Sequence, residues 1–224
     1  MDLSTITTKA RRKLDEVTEK FWDDDELWDY INDGYYQYWM WMIRAVNRGV
    51  VKSTTLNITA DTAEIALPSD YFLARLVERV VDSATIPMDY KERYDSANRT
   101  SGTSSSASFG YVPQYHFEGQ NLIIEPTPGD TVANGIKLTY IFIPDRMTAG
   151  TDEPDDGFPD FFHDLLVGYC VIQAKEKEEM VTPGGADISP FVVSQGKREQ
   201  MFKEVIELET LQRIYSEPWG IRTC

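Results

Sequence analysis

One stretch constrains the fold of this chain more than any other: residues 24–47, where apolar and aromatic side chains fall on nearly every face of a helix. Leu27, Ile31, Tyr35, Tyr38 and Met42 follow one another in steps of three and four and share one face, while Trp28, Trp39 and Ile43 occupy others. A helix with so little polar surface must be buried on several sides, so it sits centrally in its own domain or between subunits. Tyr30, Tyr35, Tyr36, Tyr38, Trp39 and Trp41 also offer rings on which bases or sugars stack, but their helical spacing favours packing. Asp23, Asp24 and Asp25 supply N-cap candidates, with Glu26 placed three after Asp23 as in a capping box. The acidic run therefore reads as a helix start rather than a metal site. An earlier helix is marked by Leu3, Ile6, Ala10, Leu14, Val17 and Phe21, again in steps of three and four.

After Arg48 and Gly49 the period becomes two. Leu56 and Ile58 alternate with polar neighbours, Ile65 and Leu67 follow across a short turn at Asp61, and the two runs read as a hairpin. Leu67-Pro68-Ser69-Asp70-Tyr71 ends the second run in a turn, residues 76–81 form a further strand, and residues 89–98 form a short helix. Residues 99–110, rich in serine, hold too few apolar groups to pack and are expected to be mobile until something binds them. Strands resume at 114–117, 121–125 and 136–143, the last with Ile136, Leu138, Tyr140 and Phe142 on one face. Connections this short imply an antiparallel sheet region.

The Asp-, Pro- and Gly-rich stretch 144–159 returns the chain to helix. Phe161, Leu165, Tyr169 and Ile172 mark one face of a helix reaching about Met180. Thr182-Pro183-Gly184-Gly185 breaks it, and Ser189 as N-cap with Pro190 as first helical residue opens a last helix to about Tyr215, roughly 40 Å long. Its apolar positions, Phe202, Val205, Leu208, Leu211 or Gln212, and Tyr215, form a narrow stripe, so this helix binds along one side. The tail 216–224 carries Pro218, Trp219 and Ile221 without helical or strand period: it either tucks onto its own domain or waits for a groove on a partner. The expected fold is thus α+β, with N-terminal helices (1–49), a β-rich domain (50–150), C-terminal helices completing a helical bundle (151–215) and a tail (216–224).

Several function classes are excluded or weakened by count. Thirty-seven acidic against 22 basic side chains give a net charge of −15, which disfavours loose association with nucleic acid or anionic membranes. The same balance serves solubility, or a negative wall past which a polyanion slides. Cys170 and Cys224 cannot build a disulfide framework or a four-ligand zinc site, so a reducing cytoplasm suits folding, and no cofactor is expected. No stretch has the apolar length of a transmembrane helix, and the N-terminus has charge where a signal peptide needs apolar residues. His116 lies in a strand-like run and His163 in the first turn of a helix, neither near a nucleophile-elbow sequence. A calcium loop beginning at Asp152 fails at two ligand positions, Pro154 and His163, and no phosphate-cradling loop occurs. No catalytic, cofactor-binding or metal residues are expected.

Four stretches carry a likeness that the counts do not: Leu56 to Tyr71; Leu122 to Gly129 (Leu-Ile-Ile-Glu-Pro-Thr-Pro-Gly); Leu138 to Pro144 (Leu-Thr-Tyr-Ile-Phe-Ile-Pro); and Phe158 to Tyr169 (Phe-Pro-Asp-Phe-Phe-His-Asp-Leu-Leu-Val-Gly-Tyr). In order and spacing they resemble the head-to-tail adaptor (connector) proteins of tailed bacteriophages, including the tail tubular protein A group. That resemblance implies a structural virion protein at the head–tail junction, assembled in the bacterial cytoplasm. It implies a homo-oligomeric ring, usually of twelve copies, beneath the portal protein, with tail or nozzle proteins below and DNA passing through during genome ejection without specific binding. It gives candidate roles to particular residues. Trp28, Tyr35, Tyr38, Trp39 and Trp41 would pack within and between subunits; Ser104, Ser105, Ser106 and Phe109 would contact tail proteins; Pro218, Trp219, Gly220, Ile221 and Arg222 would dock on the portal. Competing readings are a tail-completion or baseplate component, a carbohydrate-binding module, and an enzyme of unfamiliar type using His116 and His163.

Overall fold

The computed structural model describes residues 1–16, 21–45, 48–82, 84–91, 114–181 and 189–216, with α4 side chains described from Val192 to Glu207. The fold is α+β: four helices and two sheets, divided into a helical unit, Met1–Val50 with Pro144–Cys224, and a strand unit, Val51–Ile143. The chain leaves the helical unit after its second helix and returns to complete it.

Helix α1 spans Leu3–Lys13 and is capped by Asp2, whose carboxylate accepts the Thr5 N–H at 2.7 Å. It stops eight residues short of Phe21. Asp15 adopts φ 56°, and the Glu16 N–H reaches back to the Arg11 carbonyl at 3.0 Å, a Schellman closure built on aspartate where glycine is usual. Apolar spacing continues past this stop and conceals it; Val17 lies outside the described residues, and Phe21 is exposed. Helix α2 spans Asp24–Arg44 with Asp23 as N-cap, accepting the Glu26 N–H at 2.7 Å. The reciprocal half of the expected capping box is replaced: the Glu26 carboxylate binds Lys177 Nζ at 2.5 Å and the Tyr30 hydroxyl at 2.7 Å.

Contrary to the expectation of an all-round apolar helix, α2 has a solvent face: Asp25, Asp29, Asp33, Gln37, Met40 and Arg44 recur every third or fourth residue and are all exposed. Helix α3, His163–Val181, follows a 3-10 turn at Asp160–Phe162 and packs against α1, α2 and the last helix, α4 (Ser189–Ser216). Its buried residues are His163, Leu165, Leu166, Val167, Cys170, Val171 and Ala174, whereas Tyr169 and Ile172 of the expected face are half-buried. A helix touched from three sides has no single stripe to read. Two glycines set the crossings. A Cβ at Gly34 of α2 would stand 2.8 Å from the Tyr169 ring, and one at Gly168 of α3 would collide with the Gln195 carboxamide of α4. Gly49 and Gly157 likewise press backbone against backbone where the chain leaves this unit.

In the strand unit, β1 (Val51–Ile58), β8 (Val132–Phe142), β3 (Tyr71–Val81) and β4 (Ala84–Pro87) form one sheet in that order; β2 (Glu64–Ala66), β7 (Asn121–Glu125), β6 (Gln114–Glu118) and β5 (Asp89–Tyr90) form the other. The expected hairpin at Asp61 does not form. β1 pairs with β8 and β2 with β7, because three residues of β2 cannot satisfy the backbone of an eight-residue strand and the longer β8 can. Asp89–Tyr90, expected as the start of a helix, is a short strand that pairs parallel with β6. Residues 92–98 of that expected helix and the serine-rich stretch 99–110 lie outside the described residues. β8 buries Ile136, Leu138, Tyr140 and Phe142 on the expected face. Tyr71 joins the sheets, its ring 5.7 Å from Phe117 and 5.8 Å from Tyr140.

Candidate assembly surfaces

The centre of the helical unit is the Phe202 ring, fully buried among Phe162 (4.7 Å between centroids), Tyr38 (5.7 Å), Phe158 (5.8 Å) and Trp41 (6.4 Å). Such aromatic pairs each add about 0.5–1.5 kcal/mol beyond burial. Three of the five candidate packing residues, Tyr35, Tyr38 and Trp39, are buried inside this unit, so their contacts are with their own chain. Trp28 and Trp41 are half-buried. Trp41 lies under the Lys203 ammonium, 4.0 Å from its ring, and Trp28 lines a cavity of about 190 Å³ with Asp25, Asn32 and Met147.

Polar groups fasten α4 to this aromatic centre. The Gln195 carboxamide, nearly buried, donates to the Tyr38 hydroxyl at 2.6 Å and to the Leu165 carbonyl at 3.1 Å. Tyr38 in turn donates to Glu199 at 3.0 Å. Burial, then the Glu199 carboxylate, hold the Tyr38 hydroxyl well above the ordinary tyrosine range, so it stays a donor.

Charged groups flank this attachment. On the α1 side, Lys9 Nζ contacts the Asp164 carboxylate at 3.0 Å and Arg198 Nη1 reaches the Asp164 carbonyl at 3.4 Å. Lys13 joins them: burial first, then Arg198, pull its ammonium below the ordinary lysine range. Lys9 of α1 thus pairs with the Asp164 carboxylate of α3, while Arg198 of α4 donates to the backbone carbonyl of the same residue. On the α2 side Tyr169 is held up by burial, then by Asp33, Glu176 and Glu199, carboxylates drawn from α2, α3 and α4. Arg198 and Glu199 are consecutive, about 100° apart on the helix, and straddle the buried line through Gln195 and Phe202. No single segment of sequence carries either grouping, which is why both escape a linear reading.

The strand unit presents a different surface. Leu73 (54% exposed), Leu76 and Phe72 stand out from β3, and on β1 and β8 the same face carries Ser53 and Thr139, whose hydroxyls bond at 2.9 Å. Two register shifts in β3 break its alternation, so these apolar residues are not turned to the core. The other candidates, Ser104, Ser105, Ser106 and Phe109, and Pro218, Trp219, Gly220, Ile221 and Arg222, lie outside the described residues.

Neither histidine sits in a reacting arrangement. His116 is buried with Nδ1 4.0 Å from Glu125, which pairs with Lys91 at 3.1 Å. His163 stacks on Phe158, its Nδ1 2.8 Å from the Met1 amine; burial, then that amine, keep the imidazole below its ordinary range. The Cys170 thiol is buried and pushed up to about 12. Among the described residues no cluster of histidine, cysteine or carboxylate suits a metal ion, and no helix is long and apolar enough to cross a membrane.

The profile of the SU10 adaptor protein family matches residues 1–222. The chain belongs to the SU10 adaptor protein family. It is a bacteriophage structural adaptor, and this is not an enzyme family. No curated protein matches the chain. The surfaces described above are therefore those of an adaptor: an aromatic interior that fixes the helices, and an apolar strand-unit face.

Proposed function

We propose that this adaptor forms a closed ring, of about twelve copies as in the head-to-tail connectors its motifs resemble, beneath the portal at the head–tail junction. The single observation that carries this reading is the family match along essentially the whole chain, residues 1–222. DNA passes through the ring without specific binding, a role to which a net charge of −15 is suited. The tail segment Pro218 to Arg222 docks on the portal, and Ser104, Ser105, Ser106 and Phe109 contact tail or nozzle proteins. Trp28 and Trp41, the half-buried pair of the candidate packing residues, lie nearest the neighbouring copy. Closer kinship to the tail tubular protein A group is part of this proposal.

Electron microscopy of the purified chain, alone and mixed with the portal of the same phage, tests it. A ring stacked coaxially on the portal is the expected result, lost when residues 216–224 are removed. Particles that never form rings in either sample would overturn it.

A further inference from the structure

His163 opens α3 and is only 2% exposed, with its ring stacked on Phe158 and its two nitrogens facing different groups. Nδ1 stands 2.8 Å from the Met1 amine. An ammonium group can only donate, so Nδ1 accepts, and the single proton of the neutral imidazole is assigned to Nε2. Nε2 is buried without a hydrogen-bond partner and lies 3.5 Å from the exposed Asp160 carboxylate. The other charges at this corner are Glu153, 3.9 Å from the Met1 amine, and Lys9, whose Nζ lies 3.0 Å from both Met1 Sδ and the Asp164 carboxylate. A second proton on the ring has to sit on Nδ1, where it points at the amine. The contact and the doubly protonated ring therefore exclude each other.

We propose that His163 and the Met1 amine form an acid-released latch: the neutral ring holds the amine against α3, and a proton taken up at Nδ1 expels it and loosens the start of α1. Met1 leads directly into the Asp2 cap, and the Leu3 and Ser4 N–H groups bond the carbonyls of Asp152 and Gly150 at 2.8 and 2.9 Å. The latch thus secures a short strap over the loop that precedes α3. Burial, then the amine, hold the imidazole below its ordinary value of 6.5, so the latch is fully closed above 6.5 and opens as pH falls through the lower folded value. The Asp2 and Asp164 carboxyls are held below 3.8, so neither the cap nor the Lys9 pair changes in that window. The latch does not depend on the ring reading.

Two readouts on the full chain test it between about pH 7 and pH 5. The first is long-range proton–nitrogen NMR of histidine-labelled protein, in which only His116 and His163 report. The second is amide hydrogen exchange at Leu3 and Ser4. The expected result is the Nε2–H tautomer of His163 at about pH 7, and below its titration a loss of amide protection of about tenfold per pH unit, after correction for intrinsic exchange. His163→Asn keeps an acceptor where Nδ1 stands and cannot titrate, so its protection at Leu3 and Ser4 is expected to stay flat. A Gly-Ser extension before Met1 turns the amine into an amide and removes its charge, which should move the His163 titration up toward 6.5. An Nδ1–H tautomer, a titration that the extension leaves in place, or wild-type protection that is constant down to about pH 5 would each overturn the latch. The tautomer and the extension decide the matter even where His163→Asn does not fold.

Discussion

The helical unit and the strand unit of this adaptor place their large apolar side chains in opposite ways. The helical unit draws Tyr38, Trp41, Phe158, Phe162 and Phe202 from three separate stretches of sequence into one interior. The strand unit closes its sheets over Tyr71, Phe117 and Tyr140, yet leaves Phe72, Leu73, Leu76 and Ile86 in solvent. The difference teaches where each unit is specified. Stability and orientation of the helices depend on a few interior contacts, and their outer faces are free to be tuned by charge. The open apolar face of β3 is available for contact.

The sharpest way to break this comparison is at Phe202. Truncating Phe202→Ala removes the ring about which four others pack and should cost about 3–5 kcal/mol. Urea unfolding followed by helical ellipticity measures it; a loss of less than about 1 kcal/mol would mean that the interior is not the anchor of α4. Next comes Gly168→Ala, whose methyl group takes the space of the Gln195 carboxamide. Displacing Gln195 also removes its hydrogen bonds to the Tyr38 hydroxyl and the Leu165 carbonyl, and a cost of about 1–3 kcal/mol is expected. Replacing the α2 cap, Asp23→Ala, should cost about 1 kcal/mol by the same assay. In the strand unit, Leu73→Ser is expected to change folding stability by no more than about 0.5 kcal/mol, because the side chain it replaces is already in water.

A pH series refines the picture of the contact between α1 and α3. The hydrogen bond from Lys9 holds the Asp164 carboxyl below its ordinary value of 3.8. A carboxylate with a depressed folded value contributes stability that is fully present above 3.8 and is lost as pH falls through the lower folded value. Replacing Asp164→Asn should therefore flatten the acid limb of the stability profile below about pH 4 and leave the profile near neutrality with the same slope. An unchanged acid limb would remove Asp164 from the account.

Much of the fold is legible in the sequence, for reasons the structure makes plain. The cap at Asp23, the buried face of β8, the strand at 121–125 and the start of α4 all rest on local chemistry: a side chain bonding its own helix, a period of two, a proline in a first turn. What escaped depends on long-range choice. Nothing near Asp61 says that β1 will prefer β8, more than seventy residues away, to β2 beside it. The α1 stop is hidden because Asp15 adopts the left-handed conformation without being glycine. The exposed face of α2 is masked by the aromatics around it. The polar ties of α3 are invisible for the same reason as the hairpin: Lys9, Asp164 and Arg198 meet only once three helices have packed.

The central claim is that this adaptor works by assembling with copies of itself against a portal. Native mass spectrometry of the full chain with the portal tests it most directly. The account predicts a complex whose mass exceeds the portal ring by a whole number of 25.6 kDa chains, and whose adaptor copies leave together as a ring when the portal is removed. Detection of the portal ring and single 25.6 kDa chains, with no complex between them, would contradict it.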